Sequence, residues 1–104
     1  MKSIILVNYS ARGVKGLIDG SNREAAVRTM LESIGGKLES IQFTRGKYDV
    51  AVMVDVPDQT TALGLNMAVR ASDSIADFVA LEVIDFKAVV GVAQKAAKNY
   101  KPPA

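Results

Sequence analysis

The chain has 104 residues, 49% of them hydrophobic and 23% charged, with a formal net charge of +2. That is the composition of one soluble globular domain with a single core, and it excludes the strong basic stripe of a nucleic-acid binder. Cys, His and Trp are all missing, which excludes disulfides, thiolate nucleophiles, zinc centres of sulfur or imidazole, a His-ligated haem and the His base of most hydrolases.

The apolar run Ile4–Val7 is too short to span a bilayer, and Asn8 interrupts it before it can serve as a secretory signal. A cytoplasmic protein that touches no membrane is therefore expected. Ser3–Tyr9 reads as a first strand, because its branched aliphatics show no helical period. Ser10–Gly20 carries Gly13, Gly16 and Gly20 and reads as a connection with at most a short helical turn. Ser21 and Glu24 have the spacing of a capping box. The apolar period Ala26/Val27, Met30/Leu31, Ile34 then carries a helix to Gly35-Gly36, where glycine suits the C-terminal cap.

Lys37–Thr44 is expected as a second strand, with Ile41 and Phe43 on one face and Leu38, Ser40 and Gln42 on the other. Arg45-Gly46-Lys47 reads as a tight turn with Gly46 at positive φ, so the second strand and a third over Tyr48–Val56 make a hairpin. Pro57 stops that strand, and Asp58 is placed to cap a helix running to about Ala71. Ala76–Ile84 is a fourth strand, and Phe86–Asn99 a third helix with lysines toward its C-terminal end. Residues 1–100 thus form one domain, followed by a flexible tail over 101–104.

The order is strand, helix, strand, strand, helix, strand, plus a C-terminal helix. This is an α+β, ferredoxin-like βαββαβ arrangement with a four-stranded antiparallel sheet and both crossover helices on one face. Three strands are apolar on both faces, yet those helices cover only one. An uncovered apolar sheet face is unusual on a monomer, so a homodimer or higher homo-oligomer stacked sheet to sheet is expected. The C-terminal helix would then seal an edge or embrace the partner.

Gly46-Lys47-Tyr48-Asp49 resembles the G-x-Y-D signature of the GYD domain family of small bacterial and archaeal proteins. Gly35-Gly36-Lys37, Thr44, the Val-Asp-Val-Pro-Asp end of the third strand, and Val7-Asn8-Tyr9 followed by Gly13 resemble it too, over about residues 3–86. The resemblance implies a ferredoxin-like fold of the dimeric α/β-barrel type and no settled activity. Shared fold does not carry function across.

The candidate ligand-binding residues are Asn8, Tyr9, Arg12, Tyr48 and Asp49. The end of the first strand neighbours the start of the third, and Arg12 follows in the next loop. Asp49 is either a base or anchor at the strand mouth, or a local acceptor for the amides of the Arg45–Lys47 turn or for a neighbouring cation. A phosphate cradle on Gly13, Gly16 and Gly20 lacks a P-loop or dinucleotide fingerprint. Arg45–Val52 falls where an RNA-recognition domain keeps its third-strand motif, but Lys47, Asp49 and Val52 replace the stacking aromatics, so no nucleic acid is expected. Asp55 and Asp58 read as rim and cap rather than a metal site, and Met30, Met53 and Met67 as core.

No cofactor is implied. The leading expectation is a homo-oligomeric small-molecule-binding or scaffold protein. The alternative is a cofactor-independent oxygenase or isomerase on a small aromatic or anionic substrate, with Asp49 taking a proton, Tyr48 and Asn8 holding the substrate, and Arg12 balancing charge. A closed, largely apolar pocket converging on Asp49 marks the enzyme; a space filled by Met30, Met53 and Leu65 removes it. A partner-binding subunit would instead show an exposed Val89, Val92, Ala96 stripe.

Overall fold

Four strands form one antiparallel sheet, and the order of elements is that of a ferredoxin-like α+β fold with an added first helix. In the computed structural model, which describes residues 1–103, the elements are β1 (Lys2–Tyr9), α1 (Ala11–Ile18), α2 (Arg23–Ser33), β2 (Lys37–Phe43), β3 (Val50–Asp55), α3 (Gln59–Ala71), β4 (Ile75–Glu82) and α4 (Phe86–Asn99). The strands lie in the order β2-β3-β1-β4, every pair antiparallel. The crossovers through α2 and α3 produce this order. Of the tail, residues 101–103 have no regular structure, and Ala104 lies outside the described residues.

The core sits between the sheet and α2 and α3. Ile5 and Val7 of β1 and Val50, Val52 and Val54 of β3 point to that side, against Leu31 of α2 and Leu65 of α3. Each valine so buried contributes about 1.5–3 kcal/mol. β3 alternates strictly between buried and half-buried positions, because its period of two puts every second side chain on the covered face.

Local chemistry moves several expected boundaries. Ser10–Gly20 is not mainly a connection, since Ala11–Ile18 is helical. Ser10 caps α1, its Oγ accepting from the Gly13 amide at 3.2 Å and donating to the Asp73 carbonyl at 2.8 Å. The N-cap of α2 is Asn22 rather than Ser21, and its side chain accepts from the Ala25 amide at 3.0 Å. Ser21 is otherwise engaged, its amide donating to the Gly16 carbonyl at 3.0 Å to close α1. Glu24 instead lies 3.7 Å from Arg28 along the helix. The amides of Gly35 and Gly36 return to the Glu32 and Leu31 carbonyls, ending α2 as expected.

The β2–β3 connection is a six-residue loop, Thr44–Asp49, rather than a tight turn. The Thr44 amide donates to the Asp49 carbonyl at 2.8 Å and its Oγ1 to the Tyr48 carbonyl at 2.6 Å. Gly46 does stand at positive φ, 139°. Tyr48 and Asp49 therefore precede the third strand instead of opening it. In β2, Leu38 pairs with Val54 but Ser40 with Met53. The bulge at Glu39 reverses the alternation, and so Leu38 joins Ile41 on the core side rather than opposing it.

The other sheet face carries Ile4 and Leu6 of β1, Ala51 and Met53 of β3, and Val79 and Leu81 of β4, which are paired in register across three strands. Among the described residues no helix packs closely on it. Of the three methionines expected in the core, Met30 packs against it half-buried, whereas Met53 lies on this open face and Met67 is exposed on α3. α4 stands off the domain, and every residue of it except the half-buried Val90 is exposed. Val92 is 71% and Phe86 70% exposed. The chain accordingly measures 63 × 29 × 22 Å with a radius of gyration of 17.8 Å, against about 13 Å for a compact domain of this length. Among the described residues no helix is long and apolar enough to cross a membrane.

Candidate functional site

The helices splay over the sheet and leave a cavity of about 260 Å³ between α2, α3 and the strands. Its floor is Val7 and Val52, its walls are Val27 and Met30 of α2 and Val69 of α3, and Phe78 of β4 closes one side. The polar groups at its boundary are Tyr9, Arg23, Ser72 and Ser74. The space is thus not filled by Met30, Met53 and Leu65.

Of the five candidate residues only Tyr9 lines the cavity. Its parity explains this, since it follows Ile5 and Val7 on the covered face of β1. Its ring lies beneath Arg23, whose Cζ is 5.6 Å from the ring centroid, within cation–π range. Burial pushes the Tyr9 phenol above its usual pKa. The Arg23 cation opposes that rise, and the Asp49 carboxylate adds to it. The phenol is therefore protonated at neutral pH and available as a donor.

Asp49 stands beside Tyr9 without entering the cavity. Its Oδ2 accepts from the Tyr9 backbone amide at 2.9 Å, while its own amide donates to the Val7 carbonyl at 2.9 Å. The carboxylate thus organises the end of β1, not the Arg45–Lys47 turn. It supplies the acceptor that the Tyr9 amide needs where the β1–β3 ladder has run out.

The other three candidates lie elsewhere. Asn8 has the opposite parity and joins the open face, where its Nδ2 donates to the Lys47 carbonyl at 2.9 Å and to Asp77 Oδ2 at 3.4 Å. Tyr48 is half-buried, with Lys47 Nζ 5.7 Å from its ring centroid. Arg12 sits 3.8 Å from Asp73, both well exposed, a pair of little energetic weight.

Arg23 is the cavity residue that the sequence reading passes over, because it sits inside an apparent capping box. One signal was available: a cation in the first turn of a helix faces the positive end of the helix dipole, so its presence there needs another cause. Its Nη2 donates to the Gly13 carbonyl at 3.3 Å. Gly16 gives it room, since a β-carbon there would lie 2.9 Å from Nη2.

The family model described as GYD domain matches residues 4–91 of the chain. No curated protein matches it.

Proposed function

The chain belongs to the GYD domain family, and we propose that it is a homo-oligomeric protein that holds a small, mainly apolar molecule between its sheet and helices. The observation that carries this reading is the coexistence of an open apolar cavity on one sheet face and a bare apolar surface on the other. Ligand sites are concave, mostly apolar and edged by few polar groups, as this one is. The bare face suits a second copy stacked sheet to sheet, the dimeric barrel arrangement. Val83, Ile84 and Phe86, all exposed, continue the bare face into α4. The exposed stripe of Val89, Val92 and Ala96 then suits α4 as an arm that clasps the partner copy.

An oxygenase or isomerase needs a base at its cavity. Among the described residues no carboxylate lines this one, and Asp49 is committed to the Tyr9 amide. A binding role fits these residues better than proton abstraction.

Light scattering on native protein and on Leu6→Glu tests the assembly. Leu6 lies on the bare face between Ala51 and Val79, so a charge there blocks stacking while leaving the covered core untouched. Native protein should show a multiple of 11.1 kDa and the variant a folded monomer by circular dichroism. Native protein that is monomeric at high concentration would remove the stacking argument.

A further inference from the structure

Arg23 is a half-buried cation without a counter-charge among the described residues. It makes no salt bridge among the described residues, and its Nε is buried with no acceptor on the protein. Among the described residues no carboxylate lines the cavity that it borders. Its compensation is one long hydrogen bond to the Gly13 carbonyl and the face of Tyr9. The first turn of α2, where Arg23 stands, adds positive potential of its own. Withdrawing a cation from water is costly unless it is paired and hydrogen-bonded, and carboxylates and phosphates are the groups that a guanidinium's planar N–H edge matches.

We infer that the cavity takes a monoanion, a molecule with an apolar body and one carboxylate that pairs with Arg23. This rests on the reading of the cavity as a binding site and adds the charge and size of the occupant. One guanidinium balances one negative charge, which favours a carboxylate over a phosphate dianion. The volume of 260 Å³ admits about nine non-hydrogen atoms at the roughly 30 Å³ that a water-sized group occupies in a liquid, so a slightly longer chain reaches its open mouth. The apolar walls exclude a polar body such as a sugar or nucleoside, whose hydroxyls would be buried without partners.

Calorimetric titration of the native protein with octanoate, octan-1-ol and octylammonium tests the inference, since the three share one chain and differ in head charge. Octanoate should bind about tenfold or more tighter than octanol, with octylammonium weakest. Arg23→Gln should bring octanoate down to the octanol level. Should that variant fail to fold, NMR of native protein decides, because octanoate and not octanol should displace the Arg23 Nε–H resonance. Equal binding of octanoate and octanol, or preference for octylammonium, overturns the inference and leaves a site for neutral or cationic molecules. Failure of all three to bind removes the binding-site reading itself, and the inference with it.

Discussion

A β-carbon on Gly13 would stand 2.2 Å from the Ser74 carbonyl oxygen and 3.1 Å from the Tyr9 ring. Both neighbours are held, since Ser74 O accepts the Ser10 amide at 2.9 Å and the Tyr9 amide is fixed by Asp49. Gly13→Ala should therefore force the start of α1 off the β4 entrance and cost about 1–3 kcal/mol, as overpacking does, read as a lower midpoint in urea unfolding. Gly16→Ala is the control, because its close contact is with the end of one side chain, Arg23, rather than with backbone, and it should cost less. Equal costs would mean that the close approach at Gly13 is relieved by backbone shifts. In the sequence these glycines look alike and mark a connection; only the tertiary contact separates a packing glycine from a permissive one. Parity in β1, by contrast, was legible. It places Tyr9 with Ile5 and Val7 and sends Asn8 to the other face, so grouping the two in one pocket set chain proximity above the period of two.

At the scale of elements, caps were readable where a side chain had no competitor. Asp58 caps α3 as expected, with Oδ1 accepting from the Thr61 amide and hydroxyl, each at 2.8 Å. The Ser21 cap failed because α1, hidden behind the glycines, had already taken the Ser21 amide. The bulge at Glu39 was illegible, since no glycine marks it and only pairing with β3 reveals it. The Asp58 cap carries a pH signature. The bonds from the Thr61 amide and then its hydroxyl favour the ionised form and lower the Asp58 pKa from its usual 3.8. A lowered folded-state pKa means stability that is present above the unfolded value and lost as pH falls through the folded one. Asp58→Ala should melt below native protein at neutral pH, and the two should converge below the carboxylate range. Asp58→Asn, which caps without a charge, should fall between the two at neutral pH and show no such loss in acid. A gap between Asp58→Ala and native protein that persists undiminished in acid would show that the carboxylate's charge adds nothing to the cap.

At the scale of the whole molecule, the unequal faces of the sheet were readable before any coordinates, from strands apolar at both parities. What covers the second face was not, because a chain that buries its own surface and one that buries a partner's carry the same pattern. α4 is where that ambiguity can be resolved. Its 14 residues expose an apolar stripe and contribute no buried residue to the core. Deleting residues 86–104 should therefore leave the protomer's sheet and helices α1–α3 intact by circular dichroism. If α4 clasps a second copy, the same deletion should weaken association. Since a dimer's melting temperature rises with protomer concentration by mass action, native and truncated protein should then melt together when dilute and apart when concentrated, the native form higher. Melting curves across a dilution series read this directly. A truncated chain that melts lower at every dilution would make α4 part of the protomer's own fold. Coincident curves at every concentration would leave sheet stacking to stand alone and free the Phe86–Ala96 stripe for a different protein.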